Sequence, residues 1–192
     1  MNLAQVVKPT EIDIARLRLR QWRAADREPF AVLNADPTVM EFFPALLSRA
    51  ESDAMASRCE GLIAERGWGL WAAVTKNGRE FLGFVGLHRT APEMPFSFGI
   101  EISWRLAARH WGNGYATGEA CAGLRVGFTQ LHFPEIVAFT AVGNSRSRAV
   151  MERIGMRHTG EFFEHPKVPV SSLLRTHCLY HITHEQWEAN DA

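Results

Sequence analysis

Residues 101–116 read EISWRLAARHWGNGYA, an alternating apolar segment followed directly by a turn with two glycines. The alternation predicts a strand, and the residues after the turn predict a helix over about 117–130. Gly112 and Gly114 lack Cβ atoms, so the backbone of the turn can approach a ligand closely. The first N–H groups of a helix have no internal partner and its dipole favours an anion, so this segment predicts a phosphate site.

The composition is that of an ordinary globular domain. The chain has 192 residues, 46% hydrophobic and 22% charged, with 21 basic and 21 acidic side chains, which suits one domain and disfavours a dedicated nucleic-acid binder. Cys59, Cys121 and Cys178 are widely spaced and form no zinc or redox pair, so reduced thiols are expected. No signal peptide and no apolar run of about 18 residues is found. We expect a cytoplasmic protein with no metal site and no membrane partner.

Helical and strand patterns alternate along the chain in an order that predicts one α/β layer domain with a mixed sheet. A capping box at residues 48–51 and Gly67 delimit one helix, and Asn77-Gly78 predicts a hairpin. After a loose arm over residues 1–13, the predicted strands are 17–21, 70–74, 81–87, 96–106, 135–142, 156–163 and 176–182, and the predicted helices are 24–34, 36–43, 49–66, 117–130 and 145–154.

A second motif makes the pattern specific. The strand, glycine turn and helix are followed by another strand and then by NSRSRAVMERIGM at residues 144–156. Together these segments resemble the GNAT N-acetyltransferase superfamily, and more narrowly its RimJ/RimL-type branch, whose named members acetylate N-terminal amines of ribosomal proteins. The resemblance extends from about residue 17 to 182. It implies a single-domain GNAT fold, with a mixed, mostly antiparallel sheet of about seven strands flanked by helices.

The same resemblance implies acetyl-CoA as cofactor, with CoA as product, and assigns residues to it. The pantetheine arm would run along the strand at Ile102, Trp104 and Leu106, and Asn144 would hydrogen-bond the cofactor unless it simply caps its helix. Position 111 is Gln or Arg in the family pattern and Trp here, which removes the usual side chain but not the backbone amides. The amides expected to hold the pyrophosphate belong to Trp111, Gly112, Asn113, Gly114, Tyr115 and Ala116.

Transfer of an acetyl group to an amine needs a base for the ammonium proton and an acid for the leaving thiolate. Met151 stands where many superfamily members have a Tyr acid. Ser147 resembles the hydroxyl that donates this proton in RimL-like enzymes, although a serine in a first helical turn can equally bond the backbone or water. Glu101 is the first candidate for the base, because it is polar within an apolar strand; the alternative is an exposed or ion-paired glutamate. His88 is the second candidate.

Three functions are consistent with these residues. The first is an N-acetyltransferase that acetylates a primary amine, on a protein N-terminus or a small molecule, by direct attack of the amine on the thioester. The second is a non-catalytic CoA-binding sensor or interaction module, suggested by the substitutions at Trp111 and Met151. The third is a binder of another phosphorylated ligand. Phe42, Phe43 and the loop 164–175 are expected to form acceptor walls, Glu41 could bind a cationic acceptor, and a homodimer is a family-level expectation.

Overall fold

The computed structural model describes residues 10–96 and 99–191. Within these ranges it contains eight strands and five α-helices. The strands are β1 (Ile12–Asp13), β2 (Leu17–Arg20), β3 (Leu70–Thr75), β4 (Phe81–Arg89), β5 (Ile100–Leu106), β6 (Glu135–Ala141), β7 (Arg157–Glu164) and β8 (Thr176–Thr183). The helices are α1 (Arg27–Asn34), α2 (Arg49–Arg66), α3 (Tyr115–Thr129), α4 (Ser145–Arg153) and α5 (His184–Asp191).

One mixed sheet organises the domain, with strand order β1-β2-β3-β4-β5-β6-β8-β7. Every neighbouring pair is antiparallel except β5 and β6, which run parallel. The expected fold class is therefore confirmed, with eight strands rather than about seven. The additional strand is β1, whose Ile12 pairs with Leu19 of β2. The end of the predicted N-terminal arm is thus part of the sheet, and residues 1–9 lie outside the described part.

The caps predicted for both ends of α2 are present in the structure. The Ser48 side chain accepts a hydrogen bond from the Glu51 amide, and the Glu51 carboxylate accepts one from the Ser48 amide. At the other end, Gly67 adopts φ 82° in the left-handed region and closes the helix. Both caps use backbone groups that the helix cannot satisfy internally, so they fix the ends of α2 locally.

Two local predictions were wrong, and one helix was not predicted. Residues 36–43 form turns rather than a helix. The Asp36 carboxylate accepts from the Thr38 amide at 2.8 Å, as an N-cap does, and the Met40 amide donates to the Asp36 carbonyl at 3.0 Å. The next bond, from the Phe43 amide to the Met40 carbonyl, spans only three residues, and the helix does not continue. The long strand begins at Ile100 and not at Phe96; Phe96 lies in a turn and packs on Phe163, and residues 97–98 are outside the described part. Helix α5 was not predicted, since its pattern is weak and it depends on packing against the core.

The parallel pair β5–β6 creates the opening that positions the site. Glu101 of β5 pairs with Val137 of β6, and this is the one register pair between these strands in the described residues. On its other side β5 pairs with β4 along its whole length. The edge of β5 that should face β6 is therefore free beyond Glu101, where the strand leads into α3. A split between two parallel strands leaves backbone donors and acceptors that a ligand can use.

Gly83 shows how closely β4 and β5 approach each other. It has φ 148°, and a Cβ added there would lie 2.0 Å from the Arg105 carbonyl oxygen. We expect Gly83→Ala to lower the free energy of unfolding by about 1–3 kcal/mol, because the strands must separate to admit the methyl group. Urea denaturation measures this change. Gly61→Ala is the control: its Cβ would meet nothing within 4 Å, and a loss of stability in both variants alike would contradict the explanation.

Candidate active site

One large cleft, of about 1650 Å³, opens around β5 and the N-terminus of α3. Alternate side chains of β5 face opposite sides of the sheet. Ile102 points toward α3, where it would lie 3.2 Å from a Cβ placed on Gly123. Arg105 points toward α1, where it donates to Asn34. Glu101 and Ser103 share the Arg105 face, so this face carries the polar groups of the strand.

The glycine turn has the shape expected of an anion cradle. Gly112 and Gly114 have φ of 77° and 74°, and a Cβ on Gly112 would meet nothing within 4 Å, so the turn is open to a ligand. The Gly118 amide makes the first helical bond, to the Gly114 carbonyl at 3.0 Å. The amides of Tyr115 and Ala116 precede that bond and have no helical partner.

Two side chains hold this turn in place. The Arg16 guanidinium donates to the Asn113 carbonyl at 2.7 Å and lies 4.7 Å from the centre of the Tyr115 ring. Trp111 is already fully bonded, because its amide donates to Ala108 at 3.1 Å and its indole donates to the Leu106 carbonyl at 2.9 Å. The prediction that the Trp111 amide holds a phosphate is therefore corrected: Trp111 braces the turn, and the free amides begin after it.

The strand positions assigned to the cofactor differ in what they expose. Ile102 and Leu106 are buried in the core at 1% and 4% exposure, while Trp104 is half-buried. The side chains of Ile102 and Leu106 therefore anchor β5, whereas Trp104 lines the cleft and the backbone of the free edge can contact a ligand arm. The Leu106 carbonyl is occupied by the Trp111 indole, so the usable edge lies before it.

Asn144 and Ser147 are brought together at the start of α4. The Asn144 oxygen accepts from the Ser147 amide at 3.2 Å, so Asn144 caps the helix. Its amide nitrogen donates to Thr140 Oγ1 at 2.9 Å and to Ser147 Oγ at 3.1 Å. The carboxamide is thus committed to the protein, as the capping alternative requires. Ser147 Oγ accepts one of these bonds, and its own hydroxyl proton remains available toward the cleft that it lines.

Glu101 and His88, the two alternative bases, are neighbours. They are register partners across β4 and β5, and His88 Nε2 lies 3.2 Å from Glu101 Oε2. Ser103 completes the cluster: its hydroxyl donates to Glu101 Oε1 at 2.5 Å and lies 3.0 Å from His88 Nε2. Glu101 is 8% exposed. Ser103 was missed from the sequence, although its position two residues after Glu101 on a predicted strand places it on the same face.

The charge of Glu101 controls the protonation of His88. Burial alone would lower the pKa of His88, but the Glu101 carboxylate, by its charge and its hydrogen bond, raises the pKa above its ordinary value. The His88 Nδ1 lies 3.1 Å from the Arg89 carbonyl, which favours a proton on that nitrogen. When His88 is charged, Nε2 donates to the Glu101 carboxylate. The two groups form one hydrogen-bonded unit with Ser103.

No other acid takes the place of the missing family tyrosine. Met151 is 2% exposed and belongs to the core. Tyr180 is also buried and bonds to Glu152 at 3.0 Å, and it does not line the cleft. Glu41, considered as a binder of cationic acceptors, forms an ion pair with Arg146. Ser147 and its neighbour Ser145 are the α4 serines that line the cleft, and Ser147 is the one hydrogen-bonded to Asn144.

The residues expected to form the acceptor walls line the cleft. Phe42 and Phe43 line the cleft, and so do His165, Lys167 and Val168 of the loop after β7. Within the described ranges, no helix is long and apolar enough to cross a membrane. The same residues contain no cluster of three or more side chains suited to hold a metal ion.

Comparison with known proteins agrees with this geometry. Residues 16–157 match the family described as acetyltransferase (GNAT) domain. The chain is 33% identical over 153 residues to the uncharacterized protein YkkB of Bacillus subtilis, covering 78% of this chain and 87% of that protein. It is 30% identical over 189 residues to the FsC-acetyl coenzyme A-N(2)-transacetylase of Aspergillus fumigatus, covering 94% of this chain and 78% of that one.

Solved structures share the fold. A GNAT-family acetyltransferase from Bacillus anthracis superimposes with a TM-score of 0.76 at 24% identity, covering 92% of this chain and 99% of that one. RimJ of Mycobacterium smegmatis, solved with CoA-disulfide, superimposes with a TM-score of 0.68 at 21% identity, covering 91% of this chain and 89% of that one. The chain belongs to the GNAT acetyltransferase family, whose members transfer an acetyl group from acetyl-CoA to an acceptor.

Proposed function

We propose that this protein is an acetyl-CoA-dependent N-acetyltransferase that acetylates a primary amine by direct attack of the amine on the thioester. The observation that carries the proposal is the Glu101–Ser103–His88 cluster, which lines the same cleft as the glycine turn. A carboxylate with a titratable partner suits removal of an ammonium proton. The turn at the other end of the cleft suits a phosphate.

The residues present fit the cofactor. The free amides from Gly112 to Ala116 face an open cradle that can take a pyrophosphate, and the unpaired edge of β5 can pair with the amides of a pantetheine arm. Asn144 contributes by fixing the start of α4. Acetyl-CoA supplies the activated acetyl group as a thioester.

Three side chains move protons in this mechanism. Glu101 takes the ammonium proton of the acceptor, directly or through a water, and neutral His88 accepts or shares it through Nε2. Ser103 orients the carboxylate by donating to Oε1. At the other side of the reacting centre, the Ser147 hydroxyl provides a proton for the departing thiolate. A neutral amine and a protonated leaving group are the two requirements of the reaction.

The acceptor is an N-terminal amine or the amine of a small molecule. The RimJ structure, at 21% identity, bears on the fold alone, so an N-terminal acceptor and membership of the RimJ/RimL branch rest on the sequence resemblance. The fungal relative, named as an N(2)-transacetylase acting on FsC, favours the second. Phe42 and Phe43 could wall either kind of acceptor.

The test measures CoA release by the purified protein with acetyl-CoA and a panel of peptides and small amines. Calorimetry with acetyl-CoA, CoA and ATP runs beside it. Tight binding of both CoA forms with turnover of at least one amine supports the proposal. Tight binding without any turnover would instead indicate the non-catalytic sensor, and competition by simple nucleotides would indicate another phosphorylated ligand.

Ser147→Ala tests the acid. We expect kcat to fall about tenfold or more, because general acid catalysis contributes at least that much, while the affinity for acetyl-CoA stays within about twofold. The cap survives, since Asn144 still accepts from the backbone amide at position 147. Ser145→Ala is the matched control, an exposed neighbour in the same turn. Equal kcat values for the two variants would refute the role of Ser147.

A further inference from the structure

Arg105 lies on the polar face of β5 and forms no salt bridge with a carboxylate among the described residues. Its Nη1 donates to the neutral Asn34 carboxamide at 2.6 Å, and its guanidinium lies 4.1 Å from the centre of the Phe43 ring. The Nε atom is buried and makes no hydrogen bond. Burial lowers the pKa of Arg105 to about 10, so the group is charged at neutral pH. A buried cation that lacks an anion is costly, and a bound anion would offset that cost.

Arg58 of α2 supplies a second cation in the same cleft. This side chain lines the cleft and is exposed, and no hydrogen bond or salt bridge to it exists among the described residues. The charges of Arg58 and Arg105 both act on Cys59, where they oppose the rise in thiol pKa that burial causes. Arg58 also acts on His88. Both arginines line the cleft that also contains Cys59 and the proposed base.

The cleft as a whole is basic although the chain is neutral. Among the described residues that line it, Glu101 is the one carboxylate, against seven arginine and lysine side chains. Arg105 faces α1, on the side of β5 opposite to α3. It is thus placed toward the acceptor and away from the amides that suit the cofactor phosphates. An acceptor that was only a cationic amine would enter against this charge.

We propose that the amine acceptor carries a carboxylate or phosphate group, which Arg105 and Arg58 bind while Glu101 receives the amine. This rests on the proposed N-acetyltransferase function and names its substrate class. The planar guanidinium fork matches both anions with paired hydrogen bonds. Four residues of strand separate Glu101 from Arg105, about 13 Å between Cα atoms, so the anion and the amine lie at separate ends of the acceptor.

The experiment compares amines that differ only in the anion. The carboxylate pairs are 6-aminohexanoate with 6-aminohexanamide, and alanyl-glutamate amide with alanyl-glutamine amide. The phosphate pair is alanyl-phosphoserine amide with alanyl-serine amide. CoA release gives kcat and KM for each. Calorimetry on the CoA-saturated protein measures binding of the N-acetylated form of each compound, which requires no turnover.

We expect the wild type to favour the anionic member of at least one pair by about tenfold in kcat/KM. Arg105→Gln and Arg58→Gln should remove that preference by raising the KM of the anionic member. The kcat/KM of the neutral member should stay within about twofold of the wild-type value. Arg105→Lys should retain part of it, because the charge remains and the fork is lost. Arg58→Gln guards against misfolding, since this exposed side chain makes no bonds among the described residues. Arg79→Gln, exposed and outside the cleft, is the control.

Equal use of both members of every pair, with equal binding of the acetylated forms, would overturn the proposal. So would an Arg105→Gln variant that lowers the anionic and neutral members alike, which is the signature of a purely structural arginine. If no amine releases CoA, the proposed function fails, and the binding of the acetylated pairs still decides whether the cleft selects an anion.

Discussion

Glu101→Gln should lower kcat about a hundredfold to ten-thousandfold, the usual contribution of a general base. The glutamine is similar in size and can still accept from Ser103, but it cannot take a proton from the acceptor amine. Binding of acetyl-CoA should stay within about twofold, because Glu101 lies on the face of β5 that points away from α3. Steady-state CoA release and calorimetry measure the two quantities.

The pH dependence gives a second measure of the same cluster. The pKa of His88 is raised by the Glu101 carboxylate, and a protonated His88 ties up that carboxylate. We therefore expect kcat/KM to rise with pH, with a midpoint above the ordinary histidine value of about 6.5. Glu161→Gln, exposed on β7, should behave as wild type. A Glu101→Gln enzyme with wild-type kcat and an unchanged pH profile would exclude Glu101 as the base.

Glu119→Gln should make the protein more stable at pH 8 and leave its stability nearly unchanged at pH 4.5. Glu119 lies in α3, fully buried, and neither carboxylate oxygen has a hydrogen-bond partner among the described residues. Burial raises its pKa from 4.5 to about 8. The native state therefore holds its proton more tightly than the unfolded chain does.

The direction of the pH dependence follows from the difference in the pKa of Glu119 between the folded and unfolded states. Above pH 4.5 the unfolded chain releases this proton while the folded protein keeps it, so wild-type stability falls by about 1.4 kcal/mol per pH unit up to about pH 8 and is then level. The neutral glutamine removes this loss. Urea denaturation at pH 4.5, 6 and 8 gives the difference between variant and wild type. The exposed control Glu161→Gln should differ from wild type by the same free energy of unfolding at each pH. If Glu119→Gln behaves in that way too, the raised pKa of Glu119 is contradicted.

Patterns that are completed within a few residues could be predicted from the sequence. The capping box at Ser48, the stop at Gly67 and the strand–turn–helix around Gly112 and Gly114 all use local backbone groups, and the structure has them. The helix predicted at 36–43 did not form although its Asp36 cap is present, since a local cap can start a helix but does not extend it. Helix α5 could not be predicted, because its stability comes from packing against Phe128.

Within the candidate site, the candidate residues could be identified from the sequence, but their hydrogen-bond partners could not. Glu101 and His88 were identified as alternative bases, yet pairing across β4 and β5 makes them one hydrogen-bonded unit with Ser103. Asn144 was assigned to the cofactor, and its contacts with Thr140 and Ser147 show a side chain already committed to the protein. Such contacts depend on strand register, which one sequence does not specify.

The sequence by itself determined the family resemblance, the mixed α/β class and the glycine turn, because alternation, glycines and caps act over short distances. The tertiary structure alone decided three features of this protein: the split of β5 from β6 beyond Glu101, the joining of Glu101 to His88, and the placing of Arg58 and Arg105 in one cleft. Each of these brings together groups from different elements. Their positions follow from sheet order, register and helix packing, which are fixed only when the whole core forms.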